Sequence, residues 1–417
     1  MGTASRTVGA GSLVALLALG SLWSSAQESR VITGAELLVT SHMDLLAGRR
    51  IGLVANHTAV LPDGRHLADV LASDPRVRLT ALFGPEHGIR GDTTGALEDG
   101  VDARMRLPVY SLYGKTHRPT KEQLSGVDIL IFDIQDVGAR FYTYISTLGH
   151  VLSAAGEAGI PVFVLDRPNP LGGVGIAGPL AEDSLLSFVA FAPIPIMHGM
   201  TVGELARMYN GEGWLENGVR VALTVIAMEQ WRRDMWYDQT GLEWIPPSPN
   251  MVTLQTAVLY PGTCLFEGTN MSEGRGTERP FEYIGAPWMN SALVIEILES
   301  QNFAGVRFES IQFTPTRRAH QSGGLKYEDQ GCNGVFVEVT DRATFEPVTT
   351  GITLLWAVRA VHPEKFAWRP HWIDRLAGTP VLRKGLDGGE KPAELIGRWR
   401  QRLEEFARAR ARYLLYD

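Results

Sequence analysis

Glu86 and His87 lie in Arg76–Asp92 (RVRLTALFGPEHGIRGD), where an apolar run stops at Gly84-Pro85 and delivers a carboxylate and an imidazole side by side. A carboxyl group that can hold or release a proton, next to a nitrogen able to orient it, suits general acid and base catalysis. Further polar clusters also follow apolar runs. Asp133 and Asp136 close one and lead into Gly138-Ala139-Arg140-Phe141-Tyr142, while Asp166-Arg167 closes another. Asn250 sits in the rigid segment PPSPNM, and the glycine-rich loop from Tyr260 to Pro280 carries Glu267, Asn270, Glu273, Arg275, Glu278 and Arg279. Paired carboxylates, aromatic walls and amide or guanidinium anchors are the equipment of a glycosidase. The same parts also make a sugar-binding protein, so side-chain types alone do not separate the two. There is no HExxH or CxxC, and the ten His are scattered, so no metal site is expected. No G-x-S-x-G elbow is present, which weakens an esterase reading.

The elements that must hold these groups alternate between strand and helix. Arg50–Ala55, the run through Val77, Leu79, Ala81 and Phe83, and Val162–Leu165 read as strands, and Val127–Ile134 has the nearly continuous apolar texture of a strand covered on both faces. Leu148–Ala158 reads as a helix closed by Gly159 and Pro161. Strand, helix and strand at this spacing predict an α/β chain with a parallel sheet, whose ligands belong beyond the carboxyl ends of the strands. Thr201-x-x-Glu204 opens another helix as a capping box. From about Phe281 the texture changes to amphipathic helices (Asn290–Ser300, Val348–Val361, Ala393–Arg412) and strands (Val306–Phe313, Gly334–Thr340), which places a domain boundary near residue 280. Gly173-x-Gly175-x-x-Gly178 matches the dinucleotide fingerprint only formally. Pro168 and Pro170 separate it from its strand, Pro179 follows it, and no nucleotide cofactor is expected.

At 417 residues, 45% hydrophobic and 20% charged, the chain is a globular protein too long for one ordinary core. Arg6, the apolar run Ser12–Trp23 and the small residues Ser24-Ser25-Ala26 predict a secretory signal peptide over residues 1–26. That run is short against the ~20 residues of a bilayer span, so no membrane attachment is expected after cleavage. The formal net charge of −7 becomes −8 once Arg6 is removed, which disfavours nucleic acid as a partner. Cys264 and Cys332 permit one disulfide or two buried thiols.

The motifs GPEHGIRGD, DIQDVGARFYTYISTL, DRPNPLGG, HGMTVGELA, PPSPNM and YPGTCLFEGTNMSEGRGTERPFEYIGAPW, with a closing region that contains Asp374-Arg375-Leu376-Ala377-Gly378-Thr379, resemble the successive signatures of the NamZ-like exo-β-N-acetylmuramidases. The resemblance spans nearly all of the chain after residue 26. It implies a Rossmann-like catalytic domain with a mostly parallel sheet over residues 27–280 and a smaller C-terminal α+β domain over 281–417 that helps wall the cleft. The implied activity is release of N-acetylmuramic acid from the non-reducing end of peptidoglycan fragments, without a cofactor, by an exported enzyme. Carried onto these positions, Glu86 is the candidate general acid. Glu273 is the favoured second carboxylate, with Asp133, Asp136 and Glu278 behind it. His87 orients Glu86 or a sugar hydroxyl, and Tyr142, Asn250 and Asn270 are candidate sugar contacts. The lactyl carboxylate of the muramic sugar calls for a guanidinium. Arg140 is the first choice and Arg275 the second, followed by Arg90 and Arg279. The competing readings are a non-catalytic periplasmic module that binds cell-wall fragments, and an esterase or amidase acting on the same polymer.

Overall fold

The computed structural model describes residues 1–4, 7, 30–91, 98–317 and 324–417. The apolar run of the expected signal peptide, and Asp92, lie outside the described residues. Seven strands, β1 (Arg50–Ala55), β2 (Arg78–Gly84), β3 (Gly100–Val101), β4 (Pro108–Ser111), β5 (Ile129–Asp133), β6 (Val162–Leu165) and β7 (Leu223–Ile226), form one sheet in the order β3-β4-β2-β1-β5-β6-β7. Every pairing is parallel except that of β3 with β4. β5 is buried at every position, as a strand covered on both faces must be, which explains its unbroken apolar sequence. Because the strands run together, the segments after β1, β2, β5 and β6 leave the sheet along a single edge.

The helix after β5, Tyr144–Ala158, starts four residues earlier than the sequence pattern suggests. Tyr144 and Ile145 are buried and extend its apolar face. It ends at Gly159, whose φ of 69° supplies the left-handed turn. The strand 108–111, the short helix Leu67–Ser73 and the helices between 370 and 387 span no more than about two turns or four strand residues, too short for a period to stand out in the sequence.

A second, antiparallel sheet has the order β8-β10-β9, built from β8 (Tyr283–Ala286), β9 (Val306–Phe313) and β10 (Cys332–Val339). The helix Leu254–Thr263 packs on Pro347–Val361 at a glycine contact: a Cβ on Gly262 would lie 1.9 Å from the Pro347 carbonyl oxygen. The predicted helix Ala393–Arg412 is two helices, Pro392–Gly397 and Arg400–Arg410, separated where Trp399 turns into the core. The final residues return to the first sheet. The Tyr416 hydroxyl donates to Asp166 Oδ2 at 2.6 Å, and Arg410 Nη1 donates to the Gly199 carbonyl at 2.7 Å. Cys264 and Cys332 are buried free thiols. No helix among the described residues is long and apolar enough to cross a membrane.

Candidate active site

β2 ends at Gly84, and the chain then folds into a turn in which Gly88 N–H donates to the Pro85 carbonyl at 2.9 Å. His87 has φ 73° and Gly88 φ 72°, so two consecutive residues take the left-handed conformation. That costs a non-glycine residue on the order of 1 kcal/mol and marks the turn as one held by its surroundings. The turn places Glu86 in a cleft of about 420 Å³, also lined by His87, Tyr113, Tyr142, Asn250, Glu267 and Arg275.

Glu86 is half-buried, and the Tyr113 phenol lines the same cleft close enough to feel its charge. Burial first, and then the Glu86 charge, push the Tyr113 phenol above its usual range, so it remains a donor at neutral pH. Tyr113 comes from the segment just past β4, a strand not foreseen from sequence.

Aromatic rings form the cleft's wall. Tyr142 lies 5.0 Å from Tyr144 and 5.8 Å from Tyr260, and Tyr260 lies 4.8 Å from Phe281, all edge to face. Phe188 also lines the cleft and is stacked on His117 with centroids 3.8 Å apart. Trp372 and Arg375, from the helix Pro370–Ala377, complete the lining from the C-terminal part of the chain. Asn250 is buried, and its Oδ1 has no hydrogen-bond partner. An amide oxygen in that state is an acceptor available to a ligand N–H or O–H.

The loop after the helix Leu254–Thr263 contributes a second carboxylate, Glu267, ion-paired with Arg275. Arg275 also stands 3.4 Å from Glu273 Oε1, and its guanidinium lies 5.3 Å from the Phe281 ring centroid. Burial opposes the Arg275 charge, but Glu267 and Glu273 outweigh it and raise its pKa further above the ordinary guanidinium value.

The structure brings Glu86, His87, Tyr142, Asn250 and Arg275 to one cleft, and sends the other sequence candidates elsewhere. Glu273 is not in the lining. It is buried against Lys326 Nζ at 2.8 Å. Burial works to raise its carboxyl pKa, but Lys326 and Arg275 prevail and leave it lowered. Asp133 is sealed in a fork with Arg167, 2.5 Å from Nε and 2.9 Å from Nη2, because both lie at neighbouring strand ends behind the cleft. Asp136 accepts from Gly138 N–H at 2.7 Å, faces His198 at 3.9 Å, and shapes the loop that carries Phe141 and Tyr142. Burial lifts its carboxyl to about 7 against the donor from Gly138, and lowers His198 to about 3, helped by Arg410 and Arg140.

Arg140 is fully buried, and donates to the carbonyls of Pro179, Ile194 and Leu376 at 2.8, 2.9 and 2.7 Å. Its position beside Gly138 and Phe141 suggested a ligand contact, but the loop folds the side chain inward. Asn270 is occupied by the backbone of Lys365 and Ala367. Glu278 and Arg279 are exposed outside the lining, with Arg279 paired to Glu282 at 3.0 Å. Arg90 is paired with Asp69 and Asp102, also outside this lining. Sequence reasoning missed Tyr113, Phe188, Trp372 and Arg375 as site residues. Glu267 was visible within the same motif as Glu273 but was not selected.

A parallel sheet whose carboxyl edge meets a smaller α+β unit across an aromatic cleft with two carboxylates defines an α/β enzyme of the glycan-processing type. Family models described as exo-β-N-acetylmuramidase NamZ match residues 51–255 with the N-terminal domain and 258–416 with the C-terminal domain. The chain therefore belongs to the NamZ family. It is 45% identical over 395 residues to the peptidoglycan β-N-acetylmuramidase NamZ of Bacillus subtilis (strain 168), covering 94% of this chain and 93% of that protein. Two crystal structures of DUF1343 family proteins from Bacteroides fragilis NCTC 9343 are similar, each covering 93% of this chain and 99% of the other. One has a TM-score of 0.85 at 35% identity and the second 0.76 at 34%.

Proposed function

We propose that this protein is an exo-acting β-N-acetylmuramidase, a glycoside hydrolase that releases N-acetylmuramic acid from the non-reducing end of peptidoglycan fragments. The observation that carries the reading is the facing of Glu86 and Glu267 into one aromatic cleft, in a chain that matches the NamZ family over both of its domains. Glu86 gives its proton to the leaving glycosidic oxygen as the bond to the anomeric carbon breaks. Glu267 supplies negative charge to the sugar's oxocarbenium-like transition state, and water then completes the hydrolysis. Arg275 holds the Glu267 carboxylate in place. Tyr113 orients Glu86, the tyrosine wall packs on the sugar, and the unpartnered Asn250 oxygen accepts from the acetamido N–H.

The reading is tested with a chromogenic β-N-acetylmuraminide. Wild-type protein is expected to cleave it, and Glu86→Gln to lower kcat by at least about a hundredfold, the low end of general-acid catalysis, with the fold intact. Near-wild-type turnover in a folded Glu86→Gln variant would remove Glu86 from the mechanism. Product analysis on a muramyl oligosaccharide should show single sugars leaving from one end.

We also infer export to the periplasm or cell exterior, supported by Arg6, the apolar run Ser12–Trp23 and the small residues that follow. N-terminal sequencing of the protein recovered outside the cytoplasm should begin after Ala26. A full-length chain retained in the cytoplasm would overturn this.

A further inference from the structure

The muramic sugar differs from N-acetylglucosamine by a lactyl ether whose carboxylate is ionised at neutral pH, and it must enter a cleft that already holds Glu86 and Glu267. Bringing a further anion beside the ionised Glu267 is unfavourable without a cation that is not already neutralised.

Among the described residues, the cleft lining contains two guanidinium groups, Arg275 and Arg375. Arg275 is committed to Glu267 and stands 3.4 Å from Glu273, so its charge already balances the enzyme's own carboxylates. Arg375 is different. It is exposed, and among the described residues it has no ion pair or side-chain hydrogen bond. Its neighbour Asp374 is held by Arg383 at 2.8 Å and leaves Arg375 unclaimed. Arg375 is three positions after Trp372 on the helix Pro370–Ala377, so both side chains share a face, and both line the cleft. That helix is fixed at its end by the buried bond from Arg140 to the Leu376 carbonyl.

We propose that Arg375 is the receptor for the lactyl carboxylate and sets the preference for N-acetylmuramic acid over N-acetylglucosamine, with Trp372 packing beside the lactyl methyl group. The proposal rests on the muramidase reading and adds the residue that selects the sugar. Arg375 contacts the substrate away from the reacting atoms, through the two-pronged donor set that suits a carboxylate.

The test compares three chromogenic substrates with one leaving group: the β-N-acetylmuraminide, its lactyl carboxamide and the β-N-acetylglucosaminide. In Arg375→Ala, kcat/KM for the muraminide is expected to fall by about tenfold to a hundredfold, the range of a lost charge-assisted hydrogen bond. Values for the carboxamide and the glucosaminide should change by less than about threefold, because neither carries the charge. Arg375→Lys should recover part of the loss, and Arg279→Ala, outside the cleft, should leave all three values unchanged. Loss of activity on all three substrates in proportion, or an unchanged ratio in Arg375→Ala, would overturn the assignment. Calorimetric binding of free N-acetylmuramic acid and N-acetylglucosamine to the wild-type and Arg375→Ala proteins separates the two readings. A wild-type protein that binds the acid but does not hydrolyse the muraminide defeats the hydrolase reading alone. Equal affinity of both proteins for the acid defeats the role of Arg375.

Discussion

The guanidinium of Arg140 donates from Nη2 to the carbonyl oxygen of Leu376 at 2.7 Å, joining residues 236 positions apart. With the bonds to Pro179 and Ile194, this ties the loop that carries Tyr142 to the helix that carries Trp372 and Arg375. The two sides of the cleft are thus held in register by a cation that no ligand reaches. Burial lowers its pKa to about 9, which leaves it charged at neutral pH, and three carbonyl dipoles take the place of a carboxylate.

Replacing Arg140 by Ala leaves those three buried carbonyls without that donor, and is expected to destabilise the protein by on the order of 3 kcal/mol or more. The muraminide and its lactyl carboxamide should lose activity together, because the cleft loosens without losing a specific ligand contact. Urea titration and paired kinetics check this. An Arg140→Ala protein of wild-type stability that loses only the charged substrate would restore Arg140 as the lactyl receptor.

Glu267 and Glu273 are six residues apart and are expected to fail in opposite ways. Glu267→Gln should lower kcat by about a hundredfold or more with a small change in unfolding midpoint, because its side chain is 17% exposed in the cleft. Glu273→Gln strips the part-buried Lys326 of its carboxylate and should cost on the order of 3 kcal/mol, with the remaining folded enzyme still active. The reverse pattern would return Glu273 to the mechanism.

The central strands of the first sheet were legible because they are short apolar runs between strong stop signals, and β1 and β6, like β9 of the second sheet, have the same bounds in sequence and structure. The carboxyl-edge position of Glu86 followed from the same signals. Side-chain direction at the strand ends was not legible. Asp133, Asp136 and Arg140 follow an apolar run just as Glu86 does, yet each is turned inward by a partner that the sequence does not reveal: Arg167, the Gly138 amide, and carbonyls as distant as Leu376. Arg375 illustrates the other failure. Its segment lies within the closing motif, but the short helix Pro370–Ala377 reaches the cleft through tertiary packing, and no local period records that.

Asp136 gives a pH test whose sign is fixed by its environment. Its ordinary value is 3.8 and burial raises it to about 7, so the folded state holds a proton that the unfolded chain releases. Stability from this group is present below pH 3.8 and is lost as pH rises towards about 7. Asp136→Asn cannot ionise, so its stability relative to wild type should climb between about pH 4 and 7 and then level off. The variant difference cancels the opposite trend from His198, whose lowered value makes folding release a proton. Thermal unfolding across that range checks it, and a constant difference would mean that Asp136 is ionised throughout.

His87 has a φ of 73° in the turn that presents Glu86, a conformation in which a β-carbon is strained and glycine is not. In an ordinary extended or helical site, Ala is more stable than Gly by about 0.5–1 kcal/mol. Here the order should invert. His87→Gly and His87→Ala both lose the buried imidazole, but only Ala keeps the strain, so the Gly variant should be the more stable by about 1 kcal/mol. Activity should not follow that order. If His87 serves Glu86 through its ring, both variants lose turnover by a similar factor of about ten or more, whatever their stabilities. If it serves only as a spacer in the turn, the better-folded Gly variant should recover activity that the Ala variant lacks. Urea midpoints and kcat for the pair therefore separate two roles that a single substitution would confuse. An Ala variant at least as stable as the Gly variant would mean that the turn relaxes out of the left-handed conformation, which would also move Glu86 away from Tyr113.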